Sequence, residues 1–190
     1  CSSDLFDFQL TDQTVLESNF SYYHFYQKGL PGTFALAKGT RFPSLLDPTK
    51  SQYGQYYAGN DDTTTTGSLH IKHDFDGNWL LDIGVLRQIA DRESTAVTNT
   101  LTDNRGHYTT TTANSAASRF TINSYMANLT GSVDTGWLGH DISAGVRGFV
   151  WKNYNPVAGG TFTLGKSSLD ENPVYPRPPY PDFDSRYQSA

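Results

Sequence analysis

The feature that most constrains this chain is a repeated asymmetry. Segments of alternating polarity are joined in pairs by short turns, and the pairs are separated by long polar stretches. In "LFDFQL", Phe6, Phe8 and Leu10 share one face opposite Leu5, Asp7 and Gln9, and "TDQT" turns the chain. Leu16, Phe20, Tyr22 and Tyr26 then alternate with Glu17, Asn19 and Ser21. The second pair sets Leu69, Ile71, His73 and Phe75 against Ser68, His70, Lys72 and Asp74. It turns at Asp76-Gly77-Asn78 and returns through Trp79, Leu81, Ile83 and Val85, which alternate with Asp82 and Gly84. In the third, Tyr125, Ala127, Leu129 and Val133 oppose Ser124, Asn128, Ser132 and Asp134. "DTGWLGH" follows, then Ile142, Ala144, Val146 and Val150 against Asp141, Ser143, Gly145, Arg147 and Trp151. A period of two places the apolar set of each segment on one face of a strand.

Between the pairs lie Lys28–Thr66, Asp91–Ser118 and the stretch from Asn153 onward, rich in Gly, Pro, Thr and Tyr. They are expected to be loops, and the threonine tract of "GNDDTTTTGSLHIKH" the descending leg of one of them. A soluble sandwich mixes connection lengths at both ends. Short connections all at one end and long ones all at the other are the pattern of a transmembrane β-barrel. The expected fold is therefore all-β: antiparallel up-and-down hairpins, about six strands of an incomplete barrel, with short periplasmic turns and long extracellular loops. Asp82, Asp141 and Arg147 fit a wet interior, because an unpaired charge in a dry core is costly. Trp79, Trp137 and Trp151 lie near strand ends, where aromatic girdles belong.

Composition agrees. Only 36% of the 190 residues are apolar, yet Tyr and Phe number 12 and 11, a balance that suits strands over helices. No stretch approaches the roughly 18 apolar residues of a membrane helix, whereas a barrel strand needs only about 9–11. A formal charge of −5 without a Lys/Arg run argues against nucleic acid as a partner. The single cysteine, Cys1, excludes an internal disulfide framework. It is either a lipid-bearing first residue or a point where a longer sequence was cut, and the cut is favoured.

No nucleophile elbow, Walker sequence, dinucleotide fingerprint or HExxH occurs, so an enzyme is not expected. His70 and His73, three apart on a strand, fall on opposite faces and do not share a metal ion. Asp61-Asp62 lacks the spacing of a calcium loop. Neither a catalytic nor a metal residue is assigned. Binding is better supported, because aromatics gather in the long stretches. Phe34, Tyr56, Tyr57, Tyr108 and Tyr154 are among them, and such rings offer an amphipathic ligand apolar faces and hydrogen-bonding tips. Loop packing is the alternative role for each ring.

"TGSLHIKHDFDGNWLL", "LTGSVDTGWLGHDISAGV" and "YQKGLPGTFAL" together resemble the barrel of TonB-dependent siderophore receptors of the ferrichrome-type group. Thr135, Gly136, His140, Gly145 and Val146 match a Thr-Gly, turn, His, Gly-Val pattern. Gly29, Leu30 and Pro31 match the opening of an outward loop, and His73 through Trp79 a His-to-Trp turn. The resemblance implies that residues 1–190 are a partial receptor barrel domain, without plug, coupling motif or C-terminal strand, from the earlier half of the barrel. It implies binding and energy-coupled import of ferric siderophores at the outer membrane of a Gram-negative bacterium. Iron would enter as a ligand rather than as a cofactor. The partners implied are a ferric siderophore, the inner-membrane TonB complex acting through the plug, and outer-membrane lipids. "Arg105-Gly106-His107-Tyr108" resembles a loop whose tyrosine helps line the ligand pocket, which assigns that role to Tyr108; the Leu30–Phe34 segment is a weaker analogue. The rival readings are a surface lipoprotein anchored through Cys1, with a soluble β-sheet domain binding a ligand or glycan, and a small passive porin.

Overall fold

The computed structural model describes residues 2–43, 46, 49, 53–75, 78–114, 118–156, 160–180 and 187–189. Among them it holds ten strands and no helix. They are β1 (Ser2–Thr11), β2 (Thr14–Lys28), β3 (Thr33–Leu36), β4 (Gly59–Phe75), β5 (Trp79–Leu101), β6 (His107–Asn114), β7 (Ser118–Thr135), β8 (Leu138–Pro156), β9 (Gly160–Ser168) and β10 (Tyr187–Ser189). The main path runs β1-β2-β4-β5-β7-β8-β10; β3 and β6 pair with β5, and β9 pairs with β6. The six expected strands are β1, β2, β4, β5, β7 and β8, the long members of that path.

The three short turns are where the sequence puts them. Asp12 and Gln13 link β1 to β2, with the Gln13 amide donating to Thr11 Oγ1 at 3.2 Å. The Asn78 amide reaches Phe75 O at 3.4 Å between β4 and β5; Asp76 and Gly77 lie outside the described residues. Gly136 and Trp137 link β7 to β8.

The long stretches depart from expectation. Thr63–Thr66 lie inside β4, β5 continues to Leu101, and β3, β6 and β9 arise where loops were expected. Threonine is polar but β-branched, and its stiff side chain suits a pleated surface whether or not apolar neighbours surround it. The β5–β6 register sets Thr98 opposite Thr111 and Thr100 opposite Thr109, cross-strand pairs that favour the sheet.

The chain divides into two compact units, and β2, β4, β5, β7 and β8 contribute residues to both. Unit 1 comprises Cys1–His24, Thr63–Asp91 and Arg119–Asn153. Its apolar alternation is uncovered: Phe6, Phe8, Leu69, Ile71, Ile83, Val85, Val146 and Val150 are all exposed. Its opposite alternation is charged. Phe6 faces Ser18 and Asp7 faces Glu17 in the β1–β2 register, Glu17 accepts from Lys72 Nζ at 2.6 Å, and His70 Nδ1 lies 3.2 Å from Asp82 Oδ1. Trp151 shares the Arg147 alternation and stacks on Phe120 with ring centroids 6.1 Å apart.

Unit 2 comprises Phe25–Asp62, Arg92–Ser118 and Tyr154–Ala190. Here β3 runs parallel to the end of β5, with Phe34 opposite Asn99, and β6 lies antiparallel between β5 and β9. Among the described residues, the buried hydrophobic side chains Tyr57, Ala58, Val97, Leu101 and Tyr108 belong to unit 2, and only Ala90 to unit 1.

Candidate functional site

The aromatic residues singled out in the sequence gather in unit 2. Phe34 is the hub of one cluster: its ring meets Phe42, Tyr53 and Tyr108 edge-on at centroid separations of 5.4, 5.1 and 6.1 Å. Tyr57 joins a second, with Tyr56 at 5.0 Å and Tyr180 at 6.4 Å, and Tyr180 continues to Phe162 at 5.5 Å. Tyr154 lies in β8 opposite Ser189 of β10 and makes no ring contact with either cluster among the described residues.

A buried amide holds the platform together. Asn99 donates to Tyr53 O at 2.8 Å and accepts from Thr110 Oγ1 at 2.8 Å. It is 1% exposed, so these bonds replace water that the site excludes. The turn into β6 is set by Asp103, whose carboxylate accepts from the amides of Arg105 and His107 at 2.8 and 3.1 Å. The His107 side chain, these amides and the charge of His107 hold Asp103 down at about 2. This is the local geometry of "RGHY", and it delivers Tyr108 into the interior.

The tyrosine hydroxyls have a specific task. The segment "NPVYPRPPY", Asn172–Tyr180, has prolines at positions 173, 176, 178 and 179, which carry no N–H and cannot extend a ladder. It crosses unit 2 without strand pairing, yet two of its carbonyls, Pro173 O and Pro176 O, and two just before it, Leu169 O and Glu171 O, accept from side chains. Tyr53 Oη donates to Leu169 O at 2.8 Å, Tyr108 Oη to Glu171 O at 3.3 Å and Tyr57 Oη to Pro176 O at 3.5 Å. Gln55 acts as a strand surrogate: its Nε2 donates to Pro173 O at 2.9 Å, and its Oε1 accepts from the Tyr175 amide at 2.8 Å. Tyr180 and Thr112 share a hydroxyl–hydroxyl bond. The Tyr175 ring lies over Gly165, where any Cβ would come within 2.6 Å of it. Burial, then the neighbouring Tyr180 and Tyr56, push the Tyr57 phenol up to about 12; burial also raises Tyr53, Tyr108 and Tyr180. The phenols thus remain donors at neutral pH.

The sequence-chosen residues therefore separate by access. Tyr57 and Tyr108 are buried, at 6% and 2% exposure, and their hydroxyls donate to the carbonyls of Pro176 and Glu171. Tyr56 and Phe42 are exposed and Phe34 is half-buried. Gln55 and Asn99 were missed, while Tyr53 belongs to the loop aromatics already singled out. The signal for Gln55 was its place in "YGQYY" together with a proline-rich segment in need of donors. Among the described residues no group of three or more His, Cys, Asp or Glu is placed to hold a metal ion.

No family model and no curated protein matches the sequence. Solved structures do. A Pseudomonas aeruginosa FpvA structure with a bound ferric pyoverdine aligns with 98% of this chain and 25% of its own, at 14% identity and a TM-score of 0.68. The ferric-catecholate import receptor Fiu of Escherichia coli K12 aligns with 92% of this chain and 27% of its own, at 19% identity and a TM-score of 0.66. The ferric preacinetobactin receptor BauA of Acinetobacter baumannii covers 98% of this chain at 12% identity and a TM-score of 0.56. The chain spans about a quarter of the length of these structures. Its fold is that of a stretch of the siderophore-receptor β-barrel.

Proposed function

We propose that this chain is part of an outer-membrane receptor that binds ferric siderophores and admits them by energy-coupled transport, with no catalytic step of its own. The observation that carries the reading is the uncovered apolar face of unit 1, backed by a charged face on the same strands. Leaving a Val, Leu, Ile or Phe side chain in water forgoes roughly 1.5–3 kcal/mol relative to burial. A soluble sheet has no reason to do so across six strands, whereas lipid covers such a face directly. The same observation counts against the soluble lipoprotein reading; Cys1 itself lies outside the described residues.

In this reading unit 1 crosses the bilayer and unit 2 meets the ligand. Tyr56, Phe42 and the open part of Phe34 supply ring surface for an iron chelate, and Tyr154 is a separate contact on β8. Tyr57 and Tyr108 hold that surface in shape through the proline-rich strap. The plug and the TonB complex would act through parts of the receptor outside this stretch.

The test is iron supply in living cells. The full-length protein, expressed in a Gram-negative strain stripped of its own siderophore receptors, should fractionate with the outer membrane and restore uptake of at least one radiolabelled ferric siderophore. Abolishing the proton gradient should stop that uptake. Recovery in the soluble periplasmic fraction would refute the reading, and so would uptake indifferent to the gradient.

A further inference from the structure

The apolar face of unit 1 changes character at a definite level. On β5 the alternation that carries Ile83 and Val85 next reaches Arg87 and, beyond Ile89, Asp91; on β7 the one that carries Leu129, Ala127 and Tyr125 reaches Asn123 and Arg119. These polar residues pair across the two strands. Arg119 holds Asp91 through Nε and Nη2 at 2.6 and 2.8 Å, and Arg87 Nη1 donates to Asn123 Oδ1 at 3.3 Å. The first cation is neutralised by a two-pronged carboxylate. The second is not: Arg87 is exposed, leans on an uncharged amide, and meets no carboxylate among the described residues. It stands eight residues beyond Trp79, where β5 leaves its short turn. At about 3.4 Å per residue and a strand tilt of about 35–45°, that is roughly 20 Å from the turn, near the far edge of an apolar band about 25 Å tall.

Beside Arg87 the same face is hollow. A recess of about 620 Å³ opens between Phe20 of β2, Leu69 of β4, Val85 of β5, Tyr125 of β7 and Val150 of β8, with Arg87 and Asn123 among its walls. Two glycines shape it. Gly67 precedes Leu69 in its alternation and adds no side chain to the recess; a Cβ there would meet nothing within 4 Å. Gly148 precedes Val150 in the same way and lets the Tyr125 phenol lie over β8, since any Cβ at that position would collide with it. The result is an apolar hollow with one uncompensated guanidinium at the level where hydrocarbon gives way to headgroups.

We infer that this recess holds one phosphate-bearing lipid of the surrounding membrane, with its phosphate on Arg87 and Asn123 and an acyl chain against Leu69, Val85 and Tyr125. The inference rests on the proposed function, in which this face meets lipid, and names a bound partner for it. A guanidinium presents paired N–H donors that match two phosphate oxygens, and Asn123, its carbonyl engaged by Arg87, keeps its Nδ2 as a further donor. A water-soluble phosphate has no use for the apolar walls, and a neutral lipid has none for the cation. Only a lipid that carries phosphate uses both halves of the site.

The experiment uses the full-length protein in a non-ionic detergent, titrated with lipid A and with the same lipid stripped of its phosphates. Native mass spectrometry counts the lipid molecules retained. The tightest-held lipid A should bind at least about tenfold more strongly than the dephosphorylated form. Arg87→Gln should weaken it about tenfold, the effect of losing one charge-assisted contact. Gly67→Leu should weaken it too, by filling the hollow while leaving the cation in place; its new side chain starts in open space, so the fold is kept. Arg147→Gln, which removes a cation from the opposite alternation, should change nothing. Millimolar inorganic phosphate should not displace the lipid. If Arg87→Gln retains lipid A as the wild type does, Arg87 is only a solvated cation at the membrane surface; the inference falls and the receptor function stands. The same holds if inorganic phosphate displaces the lipid or Gly67→Leu has no effect, because the hollow then takes no part. If the full-length protein does not fractionate with membranes at all, the receptor function falls and takes the inference with it.

Discussion

Units 1 and 2 are built largely from the same strands, yet they are stabilised in opposite ways. Unit 2 has an interior: Leu101 is 0% exposed and Val97 is 2% exposed, and Asn99, Thr110 and Thr112 lie beside them with their polar atoms bonded. Unit 1 has almost none, and its apolar residues point away from the charged face into whatever surrounds them. The first arrangement is self-contained in water, and the second, in the function proposed above, meets a hydrocarbon solvent. Strand geometry alone does not distinguish them; the residues on the two faces do.

The largest test of that contrast is a pair of truncations. Leu101→Ala should cost about 2–5 kcal/mol, the usual range for emptying a sealed site. Ile83→Ala in unit 1 should cost much less when the protein sits in lipid, because acyl chains fill the space left behind. Urea titrations of vesicle-inserted protein measure both, and equal losses would abolish the distinction. Next in size is Val146→Arg. A cation at mid-bilayer depth on the lipid face of a barrel costs about 2–4 kcal/mol, while Tyr56→Arg on the exposed surface of unit 2 should be nearly silent. Refolding yield into vesicles separates the two variants, and an inert Val146→Arg would place unit 1 outside the membrane.

The same contrast explains what the sequence revealed and what it concealed. Hydrophobic alternation reports the two environments a strand separates, so it is loud where one face meets an apolar medium and the other does not. Leu69, Ile71, Ile83, Val85, Val146 and Val150 gave away their strands and their turns for that reason. Thr63–Thr66 and Thr109–Thr112 are equally extended, but polar residues occupy both their faces, and the periodic signal vanishes while the backbone pairing continues. The aromatic residues were legible as a group and not as individuals. Phe34 and Tyr108 do come together, but a ring that lines a pocket and a ring that donates to a buried carbonyl read identically in sequence. What divides them is the donor deficit of Asn172–Tyr180, a property of another segment more than 60 residues away from Tyr108.

That strap gives the next prediction. Gln55→Ala removes both bonds that tether residues 173 and 175 and should weaken local closure by about 1–3 kcal/mol, given that each orphaned buried partner loses a hydrogen bond. Hydrogen exchange at the Tyr175 amide is the direct reading: it should accelerate at least about tenfold. The amides of β7 in unit 1 should keep their rates. Acceleration spread evenly over both units would mean that they open together, and the division drawn here would be wrong.

The smallest effect is expected at high pH, and only in unit 2. The Tyr57 phenol stands at about 12 in the folded chain against an ordinary 10.0, with burial as the main cause. A group raised on folding contributes fully below its unfolded value and loses that contribution as pH climbs through the folded one. The stability of unit 2 should therefore hold to about pH 10 and decline from there toward pH 12, as the unfolded chain releases phenolic protons that the folded chain retains. Tyr57→Phe cannot ionise, so it should decline less steeply over that window, at the cost of one long hydrogen bond to Pro176 O at 3.5 Å. Tyrosinate absorbance followed alongside Tyr175 amide exchange resolves the order of events. If the strap loosens before any buried phenol titrates, proline-rich backbone rather than tyrosine donation sets its stability, and the strut role assigned to Tyr57 is lost.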